Sequence, residues 1–223
     1  MYVAEIWRYP VKSMAGELLQ RARLTTSGIN GDRVIQVRNG QGRTVTSRTH
    51  PGLLGLRATL DEHGLPLVDG RAWTDKKVLA TVQQIVGPGA KLVRDDSLDR
   101  FDILPLLVAT DGAIAAFGRD RRRLRPNIIV GGVNGLDERT WPGRQLVIAG
   151  VAGDVAISVQ DLRGRCIMTT FDPDTLAHDP NVLRDIVMRF AGKLALNCDV
   201  LLGGAIQVGQ EVKVHRTTAQ ART

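Results

Sequence analysis

Cysteine is scarce in this chain: Cys166 and Cys198 are the only two among 223 residues. Two thiols cannot make a disulfide framework. They also cannot supply the four ligands of an iron–sulfur cluster or an all-cysteine zinc site. Histidine is nearly as rare, and His50, His63, His178 and His215 are scattered, with no pair at metal-ligand spacing. Aromatic residues make up 4% of the chain, so the core has to rest on Val, Leu, Ile and Ala. No apolar run approaches the ~18 residues of a membrane-spanning helix, and residues 1–8 lack the apolar core of a secretory signal. A cytoplasmic protein with no membrane contact is expected. Walker and Rossmann fingerprints are absent, and the glycines at 28 and 31 lack the spacing those motifs need.

Negative charge is also in deficit: 23 acidic residues face 30 lysines and arginines, for a formal charge of +7. Arginine greatly outnumbers lysine. Its planar fork suits phosphate or carboxylate recognition, although genome composition produces the same bias. Residues 119–125 hold five arginines. A basic stripe of this kind can bind nucleic acid. However, stacking platforms for single strands need exposed aromatics, and only Phe117 and Trp141 are nearby, so a charged surface loop is favoured over nucleic-acid binding.

The length suffices for one large domain or two small ones. Alternation and turn residues predict strands at 2–9 and 18–25, a hairpin of 33–38 with 43–48 across Asn39-Gly40, and strands at 53–60 and 65–68. Residues 75–86 read as a short helix or an edge strand. Thr110-Asp111-Gly112 reads as a cap before a helix over 113–117. Strands follow at 126–130, opened by Pro126, and at 145–148 and 155–159, with a link of small residues at 149–154. The clearest helix starts at Pro180 or Asn181 and ends near Gly192, since Val182, Leu183, Ile186, Val187 and Phe190 share a face. Short strands at 198–202, 205–208 and 211–214 precede a small, polar tail at 217–223. Many short strands with few helices predict a mainly β (α+β) fold, a closed or nearly closed β-barrel with appended helices. Long helices do not alternate with the strands, which disfavours a doubly wound parallel sheet.

The most distinctive stretch is 161–175, Asp-Leu-Arg-Gly-Arg-Cys-Ile-Met-Thr-Thr-Phe-Asp-Pro-Asp-Thr. A thiolate is a soft metal ligand and a nucleophile, and neighbouring positive charge favours it; Arg163 and Arg165 can supply that charge. A lone cysteine after an apolar strand more often reads as a small buried hydrophobe, and residue types alone favour that reading. Three basic spots stand beside turns: Lys12-Ser13, Arg33 after Gly31-Asp32, and Arg125-Pro126-Asn127. Each can offer a charged donor to an anion.

Taken in order, residues 7–17, 28–33, 125–130, 138–143 and 165–175 resemble the MOSC family, the domain of molybdenum cofactor sulfurases and amidoxime-reducing molybdenum enzymes. The resemblance implies a MOSC-type β-barrel with a smaller N-terminal β module, dividing the chain into 1–95, 96–216 and a tail at 217–223. It implies a molybdenum–pterin cofactor (molybdopterin), with Cys166 as metal ligand or as carrier of sulfur. Lys12, Ser13, Arg33 and Arg125 match positions at the pterin phosphate or its surroundings. Arg165, Asn127, Thr169 and Thr170 would stand beside the pterin, and Asp172 or Asp174 would position water or relay a proton. The implied activity is reduction of N-hydroxylated small molecules. The chain lacks a ferredoxin-like segment, so electrons would come from a separate electron-transfer protein. It also lacks a pyridoxal-phosphate desulfurase domain. The alternative is a cofactor or sulfur carrier with a persulfide on Cys166. The chain is compact for a member with both modules, which implies a shortened loop around 60–95 and a more open pocket.

Overall fold

The computed structural model describes residues 1–150 and 153–216. The predicted tail at 217–223 and part of the 149–154 link lie outside the described residues. The fold is mainly β. Its largest element is an eight-stranded mixed sheet, in the spatial order Val212–Arg216, Arg144–Ile148, Val155–Gly164, Lys193–Leu202, Leu106–Thr110, Ile128–Gly131, Tyr2–Arg8, Glu17–Leu19. Leu106–Thr110 and Ile128–Gly131 run parallel. The other ladders of this sheet are antiparallel. The sheet does not close through a complete ladder among the described residues, but its two ends approach. Tyr2 bridges Glu211, Val3 N–H donates to the Gln210 carbonyl at 2.9 Å, and Gly209 N–H donates to Val3 at 2.8 Å.

The helices are α1 (Lys76–Val86), α2 (Asp111–Phe117) and α3 (Pro180–Phe190). Asp75 caps α1 through its carboxylate, so 75–86 resolves as a helix; Thr110 and Asp179 cap the other two. The connection through α2 joins the two parallel strands, as a parallel pair requires. No helix among the described residues is long and apolar enough to cross a membrane.

Two predicted strands are shorter than expected. Of 43–48 only Thr44–Val45 pairs, and 53–60 divides into a 3-10 turn (Pro51–Gly55) and a strand (Ala58–Leu60). The strand Leu106–Thr110 had no alternating pattern to announce it. It sits inside the sheet with Leu106, Val108, Ala109 and Thr110 all buried, and a strand buried on both faces reads as one apolar run.

Three apolar clusters form the core. Val3, Ile6, Leu106, Val108, Ile128, Val130 and Cys198 belong to the cluster of the large sheet. Val11, Met14, Ile35, Val37, Val78 and Val82 belong to a second, under the N-terminal half. Phe117, Leu124, Val182, Ile186 and Phe190 join α2 to α3. The first strand therefore contributes to one core and the segment just after it to another. Residues 9–14 are fixed between the two, and the functional cavity opens there. Phe117 is 1% exposed between α2 and α3. Phe117→Ala is expected to cost about 3–5 kcal/mol, read as a fall in the denaturant-unfolding midpoint; a loss under about 1 kcal/mol would show that the third cluster does not bear on stability.

Candidate functional site

A buried carboxylate organises the site. Asp32 has no exposed surface. Its Oδ1 accepts the Tyr9 N–H at 2.7 Å, and its Oδ2 accepts from the Arg33 guanidinium and from Asn127 Nδ2, the latter at 3.2 Å. Asn127 is itself fully engaged. Its Nδ2 also donates to the Trp7 carbonyl at 3.3 Å, and its Oδ1 accepts from Leu107 N–H at 3.1 Å and Arg33 Nη1 at 3.3 Å. Arg100 Nε donates to the Asp32 carbonyl at 3.2 Å.

Three residues beside this junction have left-handed backbones without being glycine: Ser13 (φ 72°), Arg33 (φ 56°) and Arg125 (φ 55°). Such conformations cost about 1 kcal/mol or more each and persist only where the surroundings hold them. Here Arg33 N–H donates to Tyr9 O at 2.8 Å and Arg125 Nη2 to Met14 O at 2.7 Å. The Tyr9 ring lies under both cations, 4.3 Å from Arg125 and 5.0 Å from Arg33. Its hydroxyl donates to Pro126 O at 3.1 Å, and burial pushes its pKa up to about 12 against the pull of Arg125 and Arg33.

Ser13, Arg33, Arg125 and Asn127 line a cavity of about 300 Å3. It brings together Lys12, Ser13, Arg33, Arg125, Asn127, Arg165 and Cys166, seven of the residues the sequence nominated. Cys166 stands half-buried between the end of strand Val155–Gly164 and the 3-10 turn Ile167–Thr170. The backbone there is anchored by Arg165 N–H on Gly192 O at 2.8 Å, and Arg165 Nη2 donates to Leu124 O at 2.8 Å. Arg165 Nε is buried with no hydrogen-bond partner among the described residues. Burial pulls Arg125 and Arg165 down to about 10 each. Both stay charged near neutral pH.

Arg48, Asp102 and Arg163 complete the wall. Sequence reading had cited Arg163 only as charge for the thiol and had passed over the other two. Asp102 pairs with Lys12 at 2.9 Å, Arg48 at 2.5 Å and Arg163 at 3.6 Å. Burial pushes the Asp102 carboxyl up, but Lys12, then Arg48 and Arg163, outweigh it and hold it below the ordinary carboxylate range. Burial likewise pulls Arg48 down, while Cys166 and Asp102 raise it by more. Their signal was faint: Arg48 stood in an expected hairpin strand, and Asp102 was one acidic residue among Phe101, Ile103 and Leu104. The described lining holds six cationic side chains and a single carboxylate.

Thr169, Thr170 and Asp172 do not reach this wall. The threonines are buried and cap the turn, donating to Cys166 O at 2.9 Å and Ile167 O at 2.6 Å. Asp172 accepts from Thr175 N–H at 3.0 Å, Asp174 N–H at 3.1 Å and Arg123 Nη2 at 2.8 Å, and those bonds hold its carboxyl low. Cys198 is fully buried in the sheet core, and burial pushes its thiol up. No cluster of three His, Cys, Asp or Glu among the described residues could hold a metal ion.

Residues 1–96 match the MOSC N-terminal beta barrel domain and residues 113–213 the MOSC domain, so the chain belongs to the MOSC family. It is 27% identical to the mitochondrial amidoxime-reducing component 1 of Homo sapiens over 233 residues, covering 78% of this chain and 67% of that protein. It is also 27% identical to the mitochondrial amidoxime reducing component 2 of Macaca fascicularis over 231 residues, with the same coverage. The fold is similar to that of the YUAD protein from Bacillus subtilis, at a TM-score of 0.53 and 13% identity, covering 96% of this chain and 95% of that one.

Because Asp102 titrates below its ordinary value in the folded state, its stabilisation is fully present above the usual aspartate pKa of about 4 and is lost as pH falls through the lower, folded value. Asp102→Asn is therefore expected to flatten the fall of the urea midpoint from about pH 5 downward, as pH drops below the usual aspartate value toward the lower, folded one. An acid limb as steep as that of the wild type would show that the carboxylate does not stabilise the fold.

Proposed function

We propose that the cavity is the seat of a molybdenum–pterin cofactor and that the protein reduces N-hydroxylated small molecules. The observation that carries this reading is the meeting of Cys166 with six cations from five separate stretches of chain in one cavity. The donor set suits such a group. A thiolate is a soft metal ligand, a buried phosphate needs paired charge and charge-assisted donors, and Arg165 Nε is a buried donor awaiting an acceptor. When bound, the cofactor supplies the redox couple for the reduction.

The chain's own residues then divide the remaining work. Cys166 holds the metal. Lys12, Ser13, Arg33 and Arg125 hold the phosphate end, with Arg165 beside the pterin. Asn127 has no free amide valence for a ligand, so it acts by holding Arg33 and Asp32. Thr169 and Thr170 act through the turn that presents the cysteine. Asp172, tied to Arg123, braces that loop. Electrons come from a separate protein.

Molybdenum content of protein made in a cofactor-producing host is the direct test. Near-stoichiometric metal is expected in the wild type and its loss in Cys166→Ser, with the fold unchanged by far-UV circular dichroism. Lys12→Ala and Arg125→Ala are each expected to lower occupancy. Cys198→Ser should keep its metal and lose about 1–3 kcal/mol of stability, because it buries a hydroxyl in an apolar core. A wild type without metal, with a persulfide on Cys166 by intact mass, would replace this reading with a sulfur carrier.

A further inference from the structure

A second cavity, of about 480 Å3, adjoins the first and shares Arg125 and Met168 with it as a common wall. Its volume lies within the range of about 300–1,000 Å3 usual for small-molecule sites. Three aromatic side chains line it, Trp7, Tyr9 and Phe171, in a chain with few aromatics. All three are held in place. Trp7 Nε1 donates to Glu5 Oε2 at 2.6 Å, the Tyr9 hydroxyl is bonded to Pro126 O at 3.1 Å, and Phe171 stacks on His178 at 5.0 Å. Leu18 stands opposite Trp7 across the antiparallel pair, so the two share a face. Gly16 permits the close approach of Tyr9, since a Cβ there would come within 2.5 Å of the ring. Ring surfaces fixed beforehand bind a flat partner at little ordering cost.

The charges on this wall are unequally engaged. Arg122 grips Asp174 with two bonds, at 2.8 and 2.6 Å, and Arg123 holds Asp172 at 2.8 Å. Arg125 donates to Met14 O at 2.7 Å. The Arg57 guanidinium makes no hydrogen bond or ion pair with any described residue, although its backbone is fixed by Asp69 Oδ1 at 2.9 Å and by a bridge to Ala15. With the indole N–H and the phenol hydroxyl already committed, Arg57 is the cation on this wall whose hydrogen-bond donors are unspent among the described residues. The complementary ligand has a flat apolar body and one negative group.

We propose that this cavity binds a planar aromatic monoanion, an aryl carboxylate, with its ring against Trp7, Leu18 and Phe171 and its carboxylate on Arg57. The site goes beyond the cofactor reading and does not depend on it, because neither Trp7, Leu18, Phe171 nor Arg57 lines the first cavity. The test is titration of the full chain with naphthoate, followed by calorimetry and tryptophan fluorescence. Saturable binding of one molecule per chain is expected. Arg57→Met should weaken it about tenfold, the loss of one charge-assisted hydrogen bond. Neutral naphthamide should bind the wild type and Arg57→Met alike, and Leu18→Asp should abolish naphthoate binding. The proposal is overturned by the absence of saturable binding at millimolar naphthoate or by unchanged affinity in Arg57→Met. It is equally overturned if Lys12→Met weakens binding as much as Arg57→Met, which would place the probe in the first cavity.

Discussion

The Asp32 carboxylate is the constraint on which the rest of the site depends. A carboxylate with no exposed surface is costly by several kcal/mol unless every lone pair finds a donor. Its donors come from the segment after the first strand, from its own neighbour Arg33, and from Asn127 at the head of another strand, while Arg100 holds its carbonyl. These groups can meet in few ways. Such a pairing contributes to the uniqueness of the arrangement more than to net stability. It brings the N-terminal core and the large sheet into one register at the place where the cavity opens.

Around that junction the protein tolerates two unfavourable features. Ser13, Arg33 and Arg125 are held in left-handed backbone conformations, and six cations crowd one cavity with a single carboxylate on the wall. Asp102 offsets part of the repulsion by pairing with Lys12, Arg48 and Arg163. Arg125 and Arg165 have no carboxylate partner among the described residues, and burial draws both pKa values down to about 10. An arrangement of this kind is stabilised by whatever anion occupies it, through mass action on the folded state. Strain and like charge gathered at one cavity are the usual marks of a site selected for binding and not for stability.

Arg125 links the two cavities. Its guanidinium rests on the Tyr9 ring and is tied to the Met14 carbonyl, and its position forms wall for both. The arginine run at 119–125 accordingly splits by partner. Arg121 pairs with Glu5, Arg122 with Asp120 and Asp174, and Arg123 with Asp172, so those three brace loops, while Arg125 faces the cavities. A run that looks uniform along the chain is thus mostly internal bracing.

The sequence by itself determined the mainly β class, the helix over 180–190, and the clustering candidates Lys12, Ser13, Arg33, Arg125, Asn127, Arg165 and Cys166. These were legible because strand alternation, helix periodicity and turn-flanked charges are local patterns. The strand Leu106–Thr110 was not, because burial on both faces erases alternation. Only the tertiary structure decided that Thr169, Thr170 and Asp172 support the cysteine turn from outside the cavity, since motif membership says nothing about which way a side chain's bonds are spent. It alone showed Asp102 and Arg48 as part of the wall and joined Trp7, Arg57 and Phe171 around a second cavity. Those residues lie tens of positions apart in sequence, and only long-range packing of the sheet, the N-terminal core and the 3-10 turn brings them together.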